Sequence, residues 1–185
     1  GRYSTKTYLC TVILLTAMIL GIFTTPNLLL GQWQNTEAAT TDTWNGSAID
    51  TSWAGDGSEG NPYKIATGAQ LAGLARKVNG GNSYSGQYFK LTADIDLAGK
   101  EWRPIGIGYG AYFYGNFDGG SHTISNLYIH DDNGNAALYV GLFGYTINGK
   151  ISNLNVSGEI NLNIEKTSYV GSIVGNGNSD VENCS

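Results

Sequence analysis

A chain of 185 residues has room for one ordinary domain plus a targeting segment, and 14% charged residues with 27 glycines and 12 tyrosines is not the composition of a disordered protein. The formal net charge is −5; two of the ten basic residues, Arg2 and Lys6, precede an apolar segment and all fifteen acidic residues follow it, so eight basic groups face fifteen acidic ones beyond Gly31. Such a surface repels a polyanion, which excludes nucleic-acid binding, and two cysteines as far apart as Cys10 and Cys184 exclude a disulfide framework or a Cys-based metal site.

The first element is the uncharged run Tyr8 to Phe23, placed behind Arg2 and Lys6 as in a secretory signal. Counted past Pro26 to Leu30, it is just long enough to span a bilayer. Residues 1–31 therefore read as a signal peptide or a membrane anchor, with cleavage after Gly31 or Ala38 as the two options for a signal. Residues 32–43 are polar and Thr-rich, the composition of a linker. Residues 44–185 form the remaining domain. The chain starts at Gly1 instead of Met and stops in mid-pattern at Cys184 and Ser185, which predicts a piece of a longer protein.

Within that domain, Trp44 to Trp53 reads as a short opening strand, with the turn cluster AGDGSEGNP after it. Leu71, Leu74, Ala75 and Val78 recur at the i, i+3, i+4, i+7 spacing of one apolar stripe and predict a helix over Gly68 to Asn79, stopped by Asn79-Gly80-Gly81. Such a helix can cover the open end of a core. From Gln87 onward short strands alternate with Gly and Asn. Phe89, Leu91, Ala93, Ile95 and Leu97 alternate with polar partners, the mark of strands with one buried face.

The later strands repeat. Tyr139-Val140-Gly141 returns as Tyr169-Val170-Gly171 thirty positions on; Ile124-Ser-Asn-Leu127 returns as Ile151-Ser-Asn-Leu154 after twenty-seven; Val181-Glu-Asn-Cys184 comes after thirty more. A strand-rich period of this length predicts an all-β solenoid, coil stacked on coil. The alignment stacks Ile124, Ile151 and Val181 in one inward column and Leu127, Leu154 and Cys184 in the next. Asn126, Asn153 and Asn183 then form an amide ladder. Gly141 to Gly144 is one residue shorter than Gly171 to Gly175, so a bulge or longer turn is expected there.

The strings NPYKIATGAQLAGLARKVNGG, YSGQYFKLTADIDLAG, EWRPIGIG, FYGNFDGGSHTISNLYI, VGLFG and VGSIVG resemble the leader and first repeats of GLUG-repeat proteins, over roughly Trp44 to Ser185. The resemblance implies a right-handed parallel β-helix in large surface or adhesin-like proteins, and in the non-catalytic regions of some immunoglobulin-cleaving peptidases, whose zinc motif is absent here. It implies no catalytic set, so none is carried over.

Candidate chemistry is sparse. His122 with Asp118 four positions earlier has the makings of an acid/base pair, but both lie in a Gly-rich turn where a turn-stabilising hydrogen bond explains them. His130 has less support. Asp94 and Asp96 lie two apart on one strand face and are the candidate metal ligands, calcium being the ion that fits; caps on the following turn are the plainer reading. His130 to Asn135 has the look of a calcium loop with its glycine at the wrong offset. Tyr109, Tyr112 and Tyr114 flank a Gly-rich stretch; by alternation Phe113 and Phe117 face inward and Tyr112 and Tyr114 outward, a candidate platform for sugar rings. Trp44, Trp53 and Trp102 read as core or cap residues. These features predict an exported, non-catalytic module with no required cofactor. Its partners would be a surface glycan or a protein of a host or neighbouring cell, and it would touch a membrane only through its N-terminal segment. A carbohydrate-active β-helix enzyme, or a spacer for a catalytic domain further along the gene, are the alternatives.

Overall fold

The computed structural model describes residues 41–108, 110–131, 139–162 and 169–185, all within the compact unit that begins at Ala39. The apolar run Tyr8 to Phe23, Tyr109 and residues 132–135 of the calcium-like loop lie outside the described residues. Among the described residues no helix is long and apolar enough to cross a membrane.

Short strands and one helix come in the order β1 (Asp42–Thr43), β2 (Tyr63–Ile65), α1 (Gly68–Asn79), β3 (Tyr88–Leu91), β4 (Ile95–Asp96), β5 (Asn116–Asp118), β6 (Thr123–Asp131), β7 (Tyr139–Val140), β8 (Phe143–Thr146), β9 (Lys150–Ser152), β10 (Asn155–Leu162), β11 (Tyr169–Val170), β12 (Val174–Gly177) and β13 (Asp180–Glu182). The domain is all-β apart from α1. Each strand pairs with one a long connection away, and every ladder between named strands is parallel, so none of them closes a hairpin. One sheet runs β13-β9-β5-β3-β2 and a second β1-β4-β6-β10, while β7 pairs with β11 and β8 with β12. The single bridges Ile105 to Phe143 and Phe113 to Thr146 carry the last pairing back toward the N-terminal side.

The registers place like residues over like. In the first sheet Phe89, Phe117, Ile151 and Val181 are Cα partners in turn; in the second, Ile95, Ile124 and Val156. Phe89 and Phe117 are 1% exposed and Ile95, Ile124 and Ile151 fully buried. Phe113 and Phe117 each pack a ring 5.2 Å from that of Phe143, and Phe89 gathers Trp53, Tyr63 and Tyr84 within 5.0–5.5 Å. Parallel strands can be hydrophobic in this way because the pleat sends alternate residues to one face.

The predicted helix forms over the expected residues. Thr67 caps it by accepting from the Gln70 amide, and the Gln70 side chain reaches back to the Ala66 N–H, two orphan donors satisfied together. Leu71, Leu74, Ala75 and Val78 are all buried and belong to the same core cluster as the strands. Gly73 has no room for a side chain, because a Cβ there would meet the Asp50 carbonyl. Beyond the helix, Gly81 takes the left-handed conformation at φ +100.

Three expectations are corrected. Trp44 to Trp53 is not a strand: the opening strand ends at Thr43, and Asn45 and Asp50 then accept from the N–H groups two or three residues on, which closes Asx turns instead of extending a ladder. Ile124 does not stack on Ile151. It lies in the second sheet, and Ile151 and Val181 in the first. The amide ladder is split likewise: Asn183 Nδ2 donates to Asn153 Oδ1 and Asn153 Nδ2 to Asp118, while Asn126 Nδ2 donates to Asp96. The same string serves in two settings, inside β6 at the register shift of the β6–β10 ladder and just after β9 and β13, with Asn126, Asn153 and Asn183 all at φ between +51 and +54. The extra residue of Gly171 to Gly175 is taken up after Val170, where the register moves from Val140 opposite Val170 to Phe143 opposite Val174.

Phe117 joins the aromatic cluster of this core to its aliphatic column. Phe117→Ala is expected to cost about 3–5 kcal/mol in a urea titration, whereas Lys64→Ala on the exposed face of β2 stays within about 0.5 kcal/mol. A Phe117→Ala loss no larger than that of Lys64→Ala would contradict the packing described.

Candidate functional site

The polar side chains singled out in the sequence converge at the corner between the first and second sheets. Asp94 lies just before β4 and His122 just before β6, and pairing of those strands brings them together: His122 Nδ1 stands 3.0 Å from Asp94 Oδ1, which also accepts from the Thr123 N–H at 3.0 Å. The partner of His122 is thus Asp94 from the preceding coil and not Asp118. Asp118 is occupied elsewhere, accepting from the Gly120 N–H at 2.9 Å and Asn153 Nδ2 at 3.0 Å, with Lys90 Nζ 3.3 Å from its other oxygen. Gly120, at φ +58, separates the two pairs; a Cβ there would stand 3.3 Å from His122 Cδ2 and 3.6 Å from Lys90 Cε.

Asp94 and Asp96 share a strand face but not a ligand. Asp96 Oδ1 accepts from Ala98 N–H at 2.7 Å and Asn126 Nδ2 at 2.8 Å. Asp96 therefore closes its own turn, while Asp94 is bonded across to His122 and Thr123. Among the described residues no group of three or more His, Cys, Asp or Glu side chains gathers as a metal would need.

The electrostatics follow from these bonds. The Thr123 N–H, then His122, hold the Asp94 carboxyl below the usual carboxylate range. Burial pushes Asp118 upward, but Asn153, Gly120 and Lys90 together outweigh it and leave it lowered as well. Both groups are thus held toward their ionised form.

The aromatic candidates form a second feature. Phe113 and Phe117 are buried and Tyr112 and Tyr114 half-exposed, as alternation predicts. The rings of Tyr114 and Tyr112 lie 6.2 Å apart, Tyr112 and Tyr145 5.0 Å, Tyr145 and Tyr139 4.6 Å, and Tyr139 and Tyr169 5.5 Å. A tyrosine strip thus crosses successive coils. Sequence reasoning singles out its first two members and misses Tyr139, Tyr145 and Tyr169. The signal lies in the repeated Tyr-Val-Gly, which marks the period and the strip at once. Tyr139 and Tyr169 stack nearly parallel, at 26°.

Over 138 residues, 71% of its length, the chain is 32% identical to a protein of Evansella cellulosilytica named "Putative Gly-rich membrane protein". Over 148 residues, 75% of its length, it is 28% identical to Halomucin of Haloquadratum walsbyi. It spans 15% and 2% of the lengths of those two relatives. No family model matches the chain, and no solved structure matches it.

The lowered carboxyls set a pH dependence. A group whose folded pKa lies below its unfolded value of 3.8 stabilises the fold above that value and loses the contribution as pH falls through the folded pKa. Urea midpoints measured at pH 7 and pH 3 should therefore drop for the parent chain. The drop should be smaller for Asp94→Asn/Asp118→Asn, whose amides keep an accepting oxygen; an equal drop in both would remove these two groups as its source.

Proposed function

We propose that the chain is a stretch of β-solenoid, a right-handed parallel β-helix built on GLUG-like repeats, in an exported cell-surface protein, and that it acts as a non-catalytic scaffold presenting its outer face to a surface glycan or to a protein of a neighbouring cell. The observation that carries this reading is the thirty-residue spacing of side-chain bonds between coils: Asn178 to Asn148, Asn183 to Asn153 and Ser185 to Asn155. A solenoid satisfies each coil through its neighbours alone, which suits a rod-like module. Export is supported by the apolar run behind Arg2 and Lys6, and a surface position by the membrane protein among its relatives. The non-catalytic reading is supported by the way Asp96 and Asp118 each close a turn and Asp94 is engaged by His122 and Thr123.

The tyrosine strip is the ligand-presenting surface in this reading, because partly exposed aromatic rings offer apolar area and hydroxyls together. A glycan-array assay on the full chain tests it, with Tyr112→Ala/Tyr114→Ala alongside. Saturable binding to a defined glycan, lost in a double variant of unchanged circular dichroism, is the expected result. Binding retained by that variant would remove the strip as the site. A well-folded chain that binds no glycan would leave the scaffold role and turn the search to protein partners.

A further inference from the structure

Three Asn-x-Ser triplets occur in the chain: Asn45-Gly46-Ser47, Asn155-Val156-Ser157 and Asn183-Cys184-Ser185. This triplet, with any residue but proline in the middle, is the acceptor for N-linked glycans when it lies on an accessible loop of an exported protein. The fold treats the three differently.

Asn155 and Val156 are held in the β6–β10 ladder opposite Thr123 and Ile124, and the Asn155 side chain is half-buried with its Oδ1 accepting from Ser185 Oγ at 2.8 Å. A transferase must seize the acceptor backbone, and this backbone is already paired. Asn183 is exposed, but its Nδ2, the atom that would be modified, donates to Asn153 Oδ1. Its neighbour Cys184 packs against the core, and the Ser185 N–H is bonded to the Leu154 carbonyl.

Asn45 stands apart. It is exposed, and neither it nor Gly46 nor Ser47 belongs to any strand. Its Oδ1 accepts from the Ser47 N–H at 2.9 Å, the Ala48 N–H at 2.8 Å and Ser47 Oγ at 3.3 Å, while its Nδ2 makes no hydrogen bond within the described residues. The turn therefore fixes the amide by its oxygen and leaves the nitrogen unengaged. Gly46 at φ +88 sharpens the turn and lies against the Lys100 stem, where a Cβ would come within 2.9 Å of Cγ.

We infer that Asn45 is a site of N-linked glycan attachment in the folded protein, and that Asn155 and Asn183 are closed once the fold has formed. The donor is an oligosaccharide esterified to a lipid phosphate. Asn45 Nδ2 attacks the anomeric carbon, and a C–N bond forms as the C–O bond to the phosphate breaks. The lipid phosphate leaves with the bonding pair, and the amide gives up one proton to a base of the transferase. The assignment rests on the export reading above, since the modification belongs to exported proteins.

The test separates the two. A single-subunit oligosaccharyltransferase, first shown to glycosylate synthetic peptides spanning each of the three triplets, is given the full folded chain in mild detergent with a lipid-linked oligosaccharide. Glycopeptide mass spectrometry is expected to find one glycan, on Asn45. Asn45→Gln should abolish the mass increase and Asn155→Gln/Asn183→Gln should leave it in place. An unmodified Asn45 in the folded chain overturns the assignment, and so does comparable occupancy at Asn155 or Asn183. Transfer in this assay needs no export, so a chain that fails to leave the cell but is modified in vitro refutes the export reading alone.

Discussion

A parallel ladder has to find its partner strand a whole connection away, and β3, β4, β5, β6 and β9 each find one on either side. That requirement fixes the inward columns, because Phe89, Phe117, Ile151 and Val181 have to occupy equivalent positions whatever their shapes. It also fixes the corners. Between β9 of the first sheet and β10 of the second the chain crosses within a few residues through Asn153, and Asn126 inside β6 and Asn183 after β13 take the same left-handed conformation, which costs most other side chains about 1–2 kcal/mol.

The corners in turn decide what the polar residues can do. A left-handed corner leaves N–H groups pointing at nothing in the ladder, and short acidic or amide side chains are the local groups able to reach them. Asp96 answers Ala98, Asp118 answers Gly120 and Asp94 answers Thr123. Carboxylates that look like catalytic or metal-binding candidates in a linear reading are thereby engaged in closing turns and linking coils. His122 fits the same logic, since its bond to Asp94 joins one coil to the next. The outward tyrosines and the turns outside the sheets are the surfaces that the ladder does not use.

Much of this was legible in the sequence, and the part that was not has a physical reason. The helix was readable because its apolar stripe and its glycine stop agree, and the Thr67 cap adds to them in the structure. The inward and outward faces around Phe113 and Phe117 were readable because the strand period is two. The identity of each residue's partner in the next coil was not. Ile124-Ser-Asn-Leu127 and Ile151-Ser-Asn-Leu154 look alike because both place a left-handed Asn before an inward Leu, but the first lies inside β6 and the second links β9 to β10. The pairing of His122 with Asp94 was hidden for the same cause. The nearer carboxylate in sequence, Asp118, was the natural candidate, yet a parallel fold places the coil before closer than the same turn.

Burial along the inward columns differs between the first and the last described strands. On the N-terminal side α1 lays Leu71, Leu74 and Val78, all fully buried, into the core cluster. In the last described coil Tyr169, Val170 and Val181 are 46–48% exposed, although Val140 and Ile151, the partners of Val170 and Val181 one coil earlier, are buried. The same columns thus change from core to surface over a single repeat, with little change in residue type. A side chain's burial in such a fold is set by whether another coil lies over it and not by its own character. Inward columns of this kind are therefore the parts most sensitive to the coil stacked on their C-terminal side. The side-chain bonds Asn148 to Asn178 and Asn153 to Asn183 and the stacked pair Tyr139 and Tyr169 join the last two strand sets even where the columns beneath them are exposed.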